Sequence, residues 1–376
     1  MLSNAPSFSF FVSGLDEEVG NKSPVWQEPL PSGLSTEELR KAGYPTYGDY
    51  FLAVSGFILS DKYSCIDSSS PEKIEKISIH IEKHGAYYHP GRIHVCYING
   101  ESRNFVVNFA INEFARKTAK NEFEILSNLR KSEGGTYIPV VYGFKESETD
   151  SGSMLAMFTG DWLDGFHEFH FSGNSKSVVV WDPEAHFFLT DDQAREAYRI
   201  AAEILTKFYN PFNYKQIYPW HHAAGDFIIR CGKDGLVDIR LITVRQYESL
   251  FNFDEDDSIE NTIIGLIYFF LNMSIRMRID RLDGIGEYVW ADDFVLESTV
   301  KGFLDSAALM DIAGMTGAEA FEMGIKGFSE EVFFEMADEM VSMYNPASPE
   351  ISVIRENLEN HSKTAHRLFS GHFNTI

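Results

Sequence analysis

Two adjacent imidazoles and a carboxylate shortly after them, His221, His222 and Asp226, are residue types that move protons and bind cations. A neutral imidazole takes a hydroxyl proton near pH 7, and aspartate is a ligand for hard cations. All three lie in residues 217–247, a stretch that reads as loop, strand, turn, strand. The short apolar strand is 227–229. Gly232, Lys233, Asp234 and Gly235 then suit a hairpin turn with positive-φ positions, and 236–244 alternates as a partner strand. A polar cluster at the mouth of a hairpin is a common way to present catalytic or binding groups. A histidine capping a buried carboxylate for structural reasons is the competing reading of the same residues.

Around this hairpin the sequence supplies strands first and helices later. Residues 73–81, 92–98 and 103–110 alternate and predict a small antiparallel sheet. Residues 111–131 carry apolar side chains at helical spacing, ended by Gly134 and Gly135, and strands are expected at 137–144 and 154–158. Glu122 falls on the apolar stripe of that helix. A carboxylate on a packing face is costly unless a cation or donors meet it, so it is expected at the edge of the stripe, reaching water. Residues 165–190 are rich in aromatics and resist assignment. Helices follow at 191–209, favoured by Asp191 and Asp192 at its start, at 258–282, capped by Ser258, and at 296–309, 330–344 and 349–368. Residues 1–72, with Pro24, Pro29, Pro31 and Pro45, read as an extension packed on the body.

A chain of 376 residues, 44% hydrophobic and 14% aromatic, is long enough for one large core or two. Its 56 acidic against 32 basic residues give a net charge of -24, which repels phosphate backbones and anionic membranes, so neither nucleic acid nor membrane is an expected partner. Three dispersed cysteines, Cys65, Cys96 and Cys231, suit free thiols in a reducing compartment. The amino terminus lacks the cationic region of a signal peptide, with Asp16, Glu17 and Glu18 close behind, and the longest apolar run, 263–273, is too short to span a bilayer. The expectation is a cytoplasmic protein.

The order of elements resembles the protein-kinase-like superfamily, especially its aminoglycoside and choline phosphotransferase branch, over roughly 73–345. The resemblance implies an α+β, two-lobed fold: an amino-terminal lobe at 73–160, with a small antiparallel sheet, and a mainly helical carboxyl-terminal lobe at 161–376 that carries the catalytic-loop-like hairpin 217–247. It also implies a strand lysine that holds nucleotide phosphates, paired by a helix glutamate. Glu122 in Asn121-Glu122-Phe123-Glu124 takes the glutamate position, and Asn108 stands where the lysine is expected. Without gaps, Asp226 matches the metal-binding asparagine of the catalytic loop and His221 the catalytic aspartate. A gapped alignment instead matches His222 and Asp226 to the loop histidine and aspartate, making Asp226 the base. Thr243 replaces the second metal-binding aspartate, and no phosphate-covering glycine loop is present. Asp161 and Trp162 lie where a hinge would meet a base or substrate.

What the resemblance implies is therefore a kinase-like protein with degenerate motifs, a pseudokinase that binds a nucleotide or small ligand between its lobes, with a protein partner as a further possibility. ATP with magnesium is the cofactor pair to test, with Asp226 as the metal ligand. A divergent small-molecule phosphotransferase using His221 or Asp226 is the first alternative, and a metal-dependent hydrolase built on the same imidazoles is the second. Other clusters have plainer readings. His80, His84, His89, His94, His167 and His170 lack a recognised zinc spacing and are expected on strand surfaces and in loops. The acidic run 254–257 reads as a solvated helix lead-in, and the methionines between Met310 and Met343 as core filling.

Overall fold

Apolar side chains at every second position of 74–81, 91–97 and 102–110 form strands because one face of each can be buried while the other meets polar neighbours. The computed structural model of the chain describes residues 6–15, 17–66, 73–85, 87–173, 177–222, 225–251 and 258–373. The acidic run 254–257 and Asp16 lie outside the described residues. The fold is mixed α+β, and the chain divides into two compact units, Met1–Lys131 with Pro139–Asp164, and Ser132–Ile138 with Gly165–Ile376.

In the first unit, strands β1 (Ser7–Val12), β2 (Ile74–Ile81), β3 (Gly91–Tyr97), β4 (Ser102–Ala110), β5 (Val141–Glu148) and β6 (Met154–Asp161) make one sheet in the order β1-β2-β3-β4-β6-β5. Only β1 runs parallel to its neighbour; the other pairs are antiparallel. Residues 1–72 thus give the sheet an edge strand and also two helices, α1 (Thr36–Lys41) and α2 (Tyr47–Ser60). Helix α2 begins with a capping box between Thr46 and Asp49. Its Tyr50, Phe51, Val54, Phe57 and Ile58 join Phe105, Val107 and Phe109 of β4 in one core. Burying each such side chain contributes on the order of 1.5–3 kcal/mol, so this segment is integral to the unit. Helix α3 (Glu113–Leu129), capped by Asn112, packs Ala115, Ala119 and Leu126 toward β4, β5 and β6.

The second unit contains a sheet that sequence patterning largely hides. Strands β7 (His167–Ser172), β8 (Ser177–Val180) and β9 (Phe187–Phe188) arise from the unassigned segment 165–190 and precede α4 (Asp191–Lys207). Next come β10 (Lys215–Ile217), the hairpin β11 (Phe227–Cys231) and β12 (Val237–Leu241), and β13 (Tyr247–Ser249). The hairpin pairs as expected, and β11 also pairs with β7, giving the order β12-β11-β7-β8-β9. Of its turn glycines, only Gly235 has positive φ. Helix α5 (Ile259–Met277) is buried on nearly every face. It ends five residues before the expected 282, because Ile279–Arg281 leaves the helix to form β14 against β15 (Tyr288–Trp290). Helix α6 (Asp293–Ala307), the short hairpin β16 (Asp311–Ile312) and β17 (Met315–Thr316), and helices α7 (Gly317–Ile325), α8 (Glu330–Ser342) and α9 (Ile351–Phe373) complete the unit.

Helices α4 and α6 approach closely at Gly302. A Cβ there would stand 2.1 Å from the Arg199 carbonyl oxygen and 3.1 Å from Ala202 Cβ. Backbone cannot yield as a flexible side chain does, so Gly302→Ala is expected to force the helices apart and cost about 1–3 kcal/mol. A urea denaturation series on the variant checks this, and an unchanged midpoint would refute it.

Candidate functional site

The loop between β10 and β11 holds His221, His222 and Asp226, and arginines fix it at both ends. From α5, Arg276 donates through Nε and Nη2 to the Trp220 carbonyl, at 3.2 and 3.1 Å. From the segment after β12, Arg245 forms a two-pronged ion pair with Asp226, each N–O distance being 3.1 Å. The Asp226 carboxylate also accepts the His221 amide at 2.8 Å, and its side chain is only 2% exposed. Such a fork uses both oxygens of the carboxylate. At Gly225, φ is +70°, which favours glycine, and a Cβ would lie 2.5 Å from Glu168 Cδ, so a side chain there would push the Glu168 carboxyl aside.

The two imidazoles separate. His221 reaches toward Glu350, Nε2 to Oε1 being 3.9 Å, with Tyr288 beside it. Burial, reinforced by the Arg276 guanidinium, takes its pKa down to about 3. His222 turns inward, its Nε2 lying 3.1 Å from the Tyr198 hydroxyl and 3.5 Å from Asp280 Oδ2. It does not meet Asp226.

Asp280 is the centre of this polar interior. Fully buried on β14, it accepts the amides of Phe171 and Arg281, each at 2.7 Å, and His170 Nδ1 at 3.0 Å. Burial alone would raise its pKa, but His222 and His170 outweigh that and hold it well below the usual carboxylate range. His170, from β7, stands between two carboxylates, with Glu168 Oε2 3.6 Å from its Nε2. Burial opposes its charge, yet the bonds to Asp280 and Glu168 push its pKa up to about 9. Glu168, His170, Asp280, His222 and Tyr198 therefore form a continuous set of titratable groups, from partly exposed Glu168 to buried Tyr198. The Asp280 carboxylate is already engaged by four donors, so the network is arranged to hold a proton and to tie β7, β14, α4 and the loop together. Among the described residues, no group of three or more His, Cys, Asp and Glu side chains is placed to hold a metal ion.

The other expected site residues fall as follows. Asn108 is half-buried on β4, opposite in alternation to Val107 and Phe109. Glu122 is 1% exposed, which overturns its expected position at the water-reaching edge of the stripe; the Tyr88 hydroxyl donates to it at 2.7 Å. Asp161 ties β6 to the start of β5, accepting the Val140 amide at 3.1 Å and the Tyr142 hydroxyl at 2.5 Å. Trp162 lies under the Arg92 guanidinium, 5.7 Å from its ring centre. Thr243 follows β12 and is half-buried. His80 stacks on Phe11, and His84 and His89 face each other with Nδ1 atoms 2.7 Å apart. His170, expected at a surface, is instead in the polar interior. Sequence reasoning did not single out Asp280, Tyr198, Arg245 or Tyr88. The period-two order of Glu168 and His170 was the one local signal for part of the network.

The three cysteines are free thiols, and among the described residues no helix is long and apolar enough to cross a membrane. No family model and no curated protein matches the chain. Among solved structures, the chain is similar to one titled "WaaP in complex with acyl carrier protein", with a TM-score of 0.32 and 9% identity, over 68% of this chain and 86% of that one.

Proposed function

We propose that this chain is a kinase-like protein of the pseudokinase type, which binds a nucleotide, another small ligand or a protein without turning over magnesium-ATP. The observation that carries this reading is the Asp226–Arg245 ion pair. The resemblance makes Asp226 the cation ligand, but its carboxylate is buried and both its oxygens are taken by an internal guanidinium. A magnesium ion would have to displace that arginine from a buried carboxylate that it already neutralises. The remaining residues fit magnesium-ATP no better. Asn108 brings no charge to phosphates, Glu122 receives a tyrosine hydroxyl, and Thr243 is a weak cation ligand beside an aspartate. His221, with its pKa taken down to about 3, is a poor proton acceptor at neutral pH, which counts against the phosphotransferase alternative.

The test is a thermal-shift titration with ATP and ADP, each with and without magnesium or manganese, alongside a phosphate-release assay. Any nucleotide shift is expected to be independent of the metal, with no turnover. A ligand at a hundred times its Kd stabilises by about 2.7 kcal/mol, enough to register. Magnesium-dependent ATP turnover that disappears in Asp226→Asn would overturn the reading.

A further inference from the structure

Helix α2 buries one face in the core and leaves another open. Leu52, Gly56 and Leu59, at i, i+4 and i+7, share the open face, with Leu52 57% and Leu59 47% exposed. Beside them, against the β5–β6 hairpin, lies a groove of about 230 Å³ with Leu52, Ala53, Gly56 and Leu155 in its lining. Its rim carries Glu148 and Asp150, both exposed. Lys145 also lines the groove, donating to Ser60 Oγ at 2.6 Å, and Asp49, Ser147 and Thr149 complete its polar side.

Gly56 is the informative residue. Glycine inside a helix is destabilising relative to alanine, and α2 contains two. At Gly48 the reason is internal: a Cβ would stand 2.2 Å from Trp26 Nε1. At Gly56 a Cβ would meet nothing within 4 Å, so among the described residues no contact calls for glycine. A missing side chain between two exposed leucines leaves room for another backbone to cross closely.

We infer that this face of α2 is a docking surface for a basic amphipathic helix of a partner protein, crossing over Gly56. An apolar side chain of the partner enters the groove, and its lysines or arginines lie over Glu148 and Asp150. The groove is smaller than the 300–1,000 Å³ typical of small-molecule sites and has room for one large side chain, its apolar part against Leu52, Ala53 and Leu155. A second copy of this chain is a poor occupant, because a net charge of -24 sets carboxylates against carboxylates.

The test uses the full chain and an 18-residue helical peptide with one leucine face and lysines elsewhere, followed by fluorescence anisotropy, with a glutamate-for-lysine peptide as comparison. Saturable one-to-one binding of the lysine peptide is expected, weakened at least tenfold by Gly56→Gln and by Glu148→Lys with Asp150→Lys. Gly56→Ala is expected to raise the Tm while weakening binding, which separates docking from folding. Equal binding by wild type and the charge-neutral Gly56→Gln variant would overturn the inference. So would equal binding of the glutamate peptide, or a concentration-dependent self-association abolished by Gly56→Gln.

Discussion

Asp280→Ala is expected to destabilise the protein by about 3–5 kcal/mol, measured by chemical denaturation at pH 7. The substitution leaves the protonated His170 without its nearest counterion and removes the acceptor of the buried Phe171 amide and the part-buried Arg281 amide. Breaking one side of a buried charge pair has a cost of that size, and each orphaned amide adds to it. Against a total stability of roughly 5–15 kcal/mol, the loss is large enough to unfold a marginal unit. Asp280→Asn keeps the shape and an acceptor but not the charge, so it is expected to lose less, and the His170 pKa should fall from about 9 toward an ordinary histidine value. NMR titration of the imidazole resolves this. A loss below about 1 kcal/mol in the alanine variant would mean that the network carries no structural load.

That result would bear on how the loop of His221, His222 and Asp226 is to be understood. Its backbone is fixed from outside by Arg276 at Trp220 and Arg245 at Asp226, while its inner imidazole is held by Asp280 and Tyr198. The residue types that suggest proton transfer are here mostly committed to holding the loop in place. Only His221 faces partly outward, and burial, reinforced by Arg276, keeps it neutral. Internal satisfaction of the polar groups is what makes the pseudokinase reading physically coherent.

Local elements were legible in the sequence where a strong period met a cap. Helices α3, α4 and α5 fall close to the expected positions because Asn112, Thr190 and Ser258 each accept an amide at the N-terminus. The hairpin β11–β12 was legible from its turn. Strand β7 was not, because Phe169, His170 and Phe171 are all buried, so both faces are covered and the alternation disappears. The end of α5 was obscured by Arg278 and Arg281, which look like favourable last-turn cations but bond to carbonyls beyond the helix, at Ala291 and Gly286. Asp280 was out of reach for another reason. Its partners Phe171 and His170 lie 109 and 110 positions away, and no local pattern encodes a contact of that range. Arg245 sits 19 residues from Asp226, close enough to name but indistinguishable from a solvated strand-end arginine.

Stability is expected to fall steeply on acidification below about pH 6.5, the ordinary histidine pKa. His89, His221 and His361 are buried, and burial takes their pKa values down to about 4, 3 and 3, helped by His84, Arg276 and Arg278 respectively. Between about pH 6.5 and pH 4 the unfolded chain binds protons at these three sites while the folded chain does not. Stability therefore rises with pH across that window, by about 4 kcal/mol per pH unit with all three engaged. His170 has the opposite sign. Its raised pKa contributes stability that is fully present below about 6.5 and is lost as pH rises through about 9. The two trends place the optimum near neutrality, with the acid side the steeper. Urea midpoints measured from pH 8 to pH 4.5 check the shape, and a midpoint unchanged between pH 7 and pH 5 would refute it. His361→Gln removes one titrating site whose Nε2 bonds to Ser274 Oγ at 3.1 Å. It should reduce the acid slope by about a third while lowering stability at pH 7, so a slope unchanged in that variant would assign the acid sensitivity to other groups.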